Sequence, residues 1–172
     1  PFYFDMPGTF RTNPADRDFL VRNAAESGSQ IIRFGVDMDD FWTSEGTFDF
    51  SALDRGLEVL DLNAPELKAI LIVKCGMPHW WMKKNPDDVT AYYGNFPIHP
   101  QKDRQALASK KYLADAAAGI RALISHLRKS PYSDKIFGIG ISEGWNSEWF
   151  WSYSDGLNRP ARSGFSKADF AT

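Results

Sequence analysis

The chain has 172 residues, with 20 Lys plus Arg against 22 Asp plus Glu, a formal net charge of −2. That length fits one domain whose core needs no disulfide or metal staple, and the absence of a basic excess excludes an ordinary nucleic-acid binder. Apolar residues make up 43% and aromatics an unusual 15%, yet no run of about 18 apolar residues exists to span a membrane.

Phe2-Tyr3-Phe4 opens the chain as a short apolar run. Asn13-Pro14-Ala15-Asp16 has the form of an N-cap followed by Pro at the first helical position, and predicts a helix to about Ser27-Gly28. Ile31-Ile32-Arg33-Phe34-Gly35-Val36 then predicts a strand closing on the acidic residues Asp37, Asp39 and Asp40. Thr43 to Thr47 is expected to be a loop. Ser51 is expected to cap a second helix with Leu53, Leu57 and Leu60 on its buried face. Residues 68–75 predict a strand that is apolar on both faces over Ile70–Val73, which suggests cover on both sides. The lone Cys75 lies at its end and is expected to be a buried structural thiol.

Residues 76–104 are a long loop rich in Pro, Gly and aromatics, a feature that tends to be functional. A third helix carries Leu113, Ala117, Ile120, Ile124 and Leu127 at helical spacing and ends at Ser130-Pro131. His99 and His126 are expected in a loop and on a helix surface. A fourth strand, Ile136–Ile141, runs into Ser142-Glu143-Gly144-Trp145-Asn146-Ser147-Glu148-Trp149-Phe150-Trp151.

Alternating strands and helices predict an α/β fold with a parallel sheet. A doubly wound nucleotide fold would show a Gly-rich phosphate loop, but Gly138-Ile139-Gly140 sits inside a strand and lacks the third Gly. A (β/α)8 TIM barrel places its chemistry in loops after the strands, where Asp37 to Trp42, His79 to Trp81 and Glu143 to Trp151 fall. A closed barrel takes about 250 residues, and this chain holds about four β/α units. With Pro1 in place of an initiator Met, residues 1–172 are expected to be one partial barrel domain whose downstream units are missing.

All six Trp follow predicted strands, and indoles suit the C–H faces of sugar rings as well as a packed barrel mouth. Trp42, Trp80, Trp81, Trp145 and Trp149 are the candidate sugar-facing indoles. A Glu walled by indoles holds its proton to higher pH, as a general acid for a glycosidic oxygen must, so Glu143 and Glu148 are the candidate catalytic residues. Arg33, Asp37 and His79 are candidate substrate contacts. For Asp37, Asp39 and Asp40, sugar hydroxyls or a solvated turn are favoured over a divalent cation, and no cofactor or metal is expected. No nucleophile elbow occurs.

Arg33-Phe34, Phe41-Trp42 and Glu45-Gly46-Thr47-Phe48-Asp49-Phe50 with Leu53-Asp54 resemble the N-terminal half of clan-A glycoside hydrolases, with β-galactosidase-like members of family 42 the nearest likeness. Met77-Pro78-His79-Trp80-Trp81 resembles the turn after that clan's third strand. The stretch from Ser130-Pro131-Tyr132 to Glu148-Trp149 resembles the approach to its acid/base Glu. The likeness covers roughly residues 20–165. The clan's usual Asn-Glu pair is replaced by Ser142-Glu143 or Ser147-Glu148, so the resemblance leaves both Glu open, with a slight preference for Glu148. It implies a retaining hydrolase of β-linked saccharides whose nucleophile comes from a later strand, and a fragment inactive by itself. The alternative is a non-catalytic carbohydrate-binding or structural half-barrel that self-associates through open sheet edges.

Overall fold

The computed structural model describes residues 3–9, 14–89 and 105–142, and for residues 3–9, 14 and 15 it describes the backbone alone. In chain order the elements are β1 (Tyr3–Thr9), α1 (Pro14–Glu26), β2 (Ile31–Asp37), α2 (Met38–Phe41), β3 (Trp42–Ser44), β4 (Thr47–Phe48), α3 (Ser51–Asn63), β5 (Lys68–Lys74), α4 (His79–Lys84), α5 (Lys110–Lys129) and β6 (Ile136–Ser142). No helix among the described residues is long and apolar enough to cross a membrane.

Four parallel strands form one sheet in the order β1-β2-β5-β6. The order follows the chain without reversal, so the sheet lacks the switch point of a doubly wound fold. Its helices also pack on one face. Ile32, Phe34 and Val36 of β2 and Ala69, Leu71 and Val73 of β5 are buried in a single core cluster. The same cluster takes Val21 and Ala24 from α1, Leu53, Leu57 and Leu60 from α3, and Ala116, Leu123 and Leu127 from α5. Each fully buried Leu or Phe contributes about 1.5–3 kcal/mol relative to exposure, so this face holds the sheet. The structure is a partial (β/α)8 barrel, helices outside and the other sheet face inside.

Three sequence expectations are corrected. The strand at 68–74 is not covered equally on both faces: Ala69, Leu71 and Val73 are buried, whereas Lys68, Ile70, Ile72 and Lys74 are half-buried. The buried stripe of α5 is Tyr112, Ala116, Gly119, Leu123 and Leu127, one position round from the expected face, and Leu113 is 56% exposed. Both stripes have helical spacing, and apolarity alone did not rank the small Ala116 and Gly119 above Leu113. Ser51 does not cap α3. It is the first helical residue, and its N–H donates to Asp49 Oδ1 at 2.9 Å. That hydrogen bond holds the Asp49 carboxyl below its ordinary pKa range.

The loop expected at 43–47 is mostly hairpin: Thr43 and Ser44 belong to β3 and Thr47 to β4, and only Glu45 and Gly46 form the turn, where Gly46 takes φ 69°. At the opposite end of the sheet, buried Lys135 donates to Pro65 O at 2.6 Å and pairs with Asp61 at 2.7 Å, fixing the entry to β6.

Candidate functional site

The strand register decides which residues share the inner face. Gly35, Ile72 and Gly140 form one row across β2, β5 and β6, and Asp37, Lys74 and Ser142 form the last row at the C-terminal ends. In barrels this end carries the chemistry. Lys74 Nζ lies 3.7 Å from Asp37 Oδ1. Asp37 also begins α2 through a capping box, its N–H donating to Asp40 Oδ2 at 2.9 Å. Arg33 is half-buried on the same face, one inward-facing position below Gly35. Ser142 is buried, and its Oγ has no hydrogen-bond partner among the described residues.

The segment after β5 is held from behind. The Met77 N–H donates to Oε1 of fully buried Gln105 at 3.0 Å, and the Tyr112 hydroxyl donates to Cys75 O at 3.3 Å. Ser109 Oγ accepts the Tyr112 N–H at 3.0 Å and so caps α5. These contacts place His79 exposed at the start of α4, with Trp80 half-buried beside it. Cys75 is buried, as its apolar setting predicts.

Trp42 and Trp81 do not offer ring faces to a ligand in this arrangement. Trp42 is 6% exposed, packed edge-on against Trp80 at 5.4 Å and against Phe48 at 5.5 Å. Trp81 is 1% exposed, and its indole N–H donates to Asp115 Oδ2 at 2.7 Å. Burial works to raise the Asp115 pKa. The hydrogen bonds from Lys111 and Trp81 outweigh it, so the carboxyl sits below its ordinary range. Trp80 donates its N–H to Trp42 O at 2.9 Å, which fixes the ring and leaves its exposed part as the available indole surface.

The structure therefore brings Arg33 and Asp37 to one face and puts His79 and Trp80 in the first turn of α4, after β5. Trp42 and Trp81 stand behind as packing. Glu143, Glu148, Trp145, Trp149 and Trp151 lie outside the described residues, as does His99. Lys74 and Ser142 were missed by sequence reasoning. The signal for Lys74 was the period-2 series Lys68, Ile70, Ile72, Lys74, which puts a cation on the inner face at the strand's end. His126 is not a plain surface residue: its Nε2 lies 2.7 Å from Asp54 Oδ1, and its ring stacks on Phe50 at 4.3 Å. No group of three or more His, Cys, Asp or Glu among the described residues is arranged to hold a metal ion.

The sequence profile of glycoside hydrolase family 42, described as beta-galactosidase, matches residues 39–155, more than half of the chain. Solved structures share the fold at low identity. A polyextremophilic beta-galactosidase from the Antarctic haloarchaeon Halorubrum lacusprofundi superposes with a TM-score of 0.55 at 20% identity, over 82% of this chain and 20% of its own. A cold-adapted beta-galactosidase from Rahnella sp. R3 gives 0.57 at 17% identity, over 78% of this chain and 20% of its own. An alpha-galactosidase from Lactobacillus brevis gives 0.57 at 14% identity, over 98% and 22%. The chain thus spans about a fifth of the length of these proteins. No curated protein sequence matches it.

Proposed function

The chain belongs to glycoside hydrolase family 42, and from that premise we propose that residues 1–172 form one partial domain, the first four β/α units of a retaining, β-galactosidase-like catalytic barrel. The observation that carries this reading is the polar row Asp37, Lys74 and Ser142 at the C-terminal ends of three adjacent strands, on the face opposite the helices. Glu143 follows that row directly in sequence, and Glu148 is five residues on.

One of these two carboxyls acts as acid/base, protonating the glycosidic oxygen and then activating water. A second carboxylate about 5–5.5 Å away, on a later strand, is the nucleophile of a retaining mechanism. Arg33 and Asp37 contact sugar hydroxyls from the inner face. His79 and Trp80, with Trp145 and Trp149, border the saccharide from the segments that follow β5 and β6 in sequence. On this reading the 172 residues alone bind saccharide but do not hydrolyse it.

The test is hydrolysis of an aryl β-galactoside, with Glu143→Gln and Glu148→Gln each placed in a polypeptide that also supplies the remaining β/α units. One substitution is expected to lower kcat by at least about 100-fold, the scale of general acid–base catalysis, with azide restoring turnover as the β-galactosyl azide. If neither variant loses activity, the acid/base assignment fails. If saccharide binds but the complete barrel never turns over, the chain is a carbohydrate-binding half-barrel instead.

A further inference from the structure

We propose that Lys74 is a specificity-determining residue of the saccharide site, donating to one hydroxyl of a vicinal diol while Asp37 accepts from the adjacent hydroxyl. The inference rests on the glycosidase reading above and deepens it. Lys74 is the last residue of β5, which is paired on both edges. Barrel interiors are filled mainly by branched apolar side chains, so a Lys facing inward from a central strand is out of pattern. Its ammonium carries three donors and no acceptor.

The 3.7 Å separation from Asp37 Oδ1 is an ion-pair distance but too long for a hydrogen bond. Each group keeps capacity for a third partner. A cation and a carboxylate at that separation match two neighbouring hydroxyl oxygens on a pyranose, one accepting from Nζ and the other donating to Oδ1. Ser142 is the next residue of the row, on a strand about 4.8 Å away. Its buried Oγ, with no hydrogen-bond partner among the described residues, is a third polar group held at the same level.

The row beneath favours the same occupant. Ile72 stands there between Gly35 and Gly140, so of these three positions only the middle one carries a side chain; the row continues beyond Gly35 to Thr9 of β1. An Ile flanked by glycines offers a low apolar floor to the C–H face of a ring whose hydroxyls reach the polar row.

The experiment measures binding of methyl β-galactopyranoside and its monodeoxy analogues to the chain by tryptophan fluorescence and saturation-transfer NMR. In the wild type, one deoxy analogue is expected to bind about tenfold more weakly than the parent sugar. Lys74→Met is expected to lose the same factor for the parent and nothing further for that analogue, while Lys74→Arg retains part of the affinity. The wild-type analogue series needs no substitution, so it stands even if Lys74→Met unfolds. Equal binding of parent and all analogues by wild type and Lys74→Met overturns the role of Lys74 and leaves the glycosidase reading in place. No binding of any of these sugars by the wild type overturns the role of Lys74 together with the reading that the 172 residues alone bind saccharide, while the turnover test of the complete barrel still decides the acid/base assignment.

Discussion

Trp81 and Asp115 join the segment after β5 to α5 through a 2.7 Å hydrogen bond from the indole N–H, and the same carboxylate oxygen accepts from Lys111 at 2.8 Å. Trp81→Phe keeps most of the buried ring but removes the donor. It is expected to cost about 1–3 kcal/mol, partly a lost hydrogen bond and partly a small void. Urea unfolding of wild type and variant at neutral pH measures this, and an unchanged midpoint would show that the bond contributes nothing net.

The same contact has a pH signature. The folded-state pKa of Asp115 lies below its ordinary value, so the group contributes stability that is present above the unfolded range and lost as pH falls through the folded value. The stability difference between wild type and Asp115→Asn is therefore expected to be constant from neutral pH down to about pH 4 and to shrink below it. Denaturant midpoints of both proteins across that range check the sign. A difference that grows on acidification would contradict it.

Much of the barrel was legible from sequence because strand and helix periods differ and the helices carry clear stops. Asn13-Pro14 and Ser130-Pro131 bracketed their helices within a residue or two. The face of α5 was not legible, since choosing between two adjacent helical stripes depends on how closely the helix approaches its neighbour. Gly119 settles that choice through Trp42, a contact 77 residues away in sequence. Arg33 and Asp37 were legible as polar residues on a strand. Lys74 was not, because its meaning comes from register with Asp37 and Ser142. Trp42 and Trp81, two of the five candidate sugar-facing indoles, show the converse: their position after strands is legible, but their burial is set by α5 and Phe48.

The pair His126 and Asp54 ties α5 to α3, with Phe50 stacked on the imidazole. Asp54→Asn and His126→Gln each remove one side of it. A double-mutant cycle at fixed pH is expected to show a coupling of about 0.5–1.5 kcal/mol, since both side chains are only partly exposed. Additive single-mutant effects would mean that the contact carries no interaction energy of its own.

Gly119 and Gly140 give opposite expectations for one substitution. A Cβ at Gly119 would lie 3.1 Å from Trp42 Cε3, 3.2 Å from Cζ3 and 3.4 Å from Met38 Sδ. The indole is wedged by Trp80 and Phe48 and has little room to retreat. The helix gains about 1 kcal/mol of intrinsic propensity from Gly→Ala, but overpacking a filled core costs about 1–3 kcal/mol. Gly119→Ala is expected to be destabilising on balance, and less so in a Trp42→Phe background, where the crowded ring is smaller. At Gly140 the Cβ would meet, among the described residues, only Ile72 Cδ1, at 2.8 Å, and that atom ends a flexible side chain on the less covered sheet face. Gly140→Ala is therefore expected to change stability by under about 1 kcal/mol, because a rotamer change of Ile72 relieves the contact. Thermal unfolding of wild type, Gly119→Ala, Trp42→Phe, the double variant and Gly140→Ala separates the cases: equal losses for Gly119→Ala in both Trp42 backgrounds would show that ring crowding is not the cause.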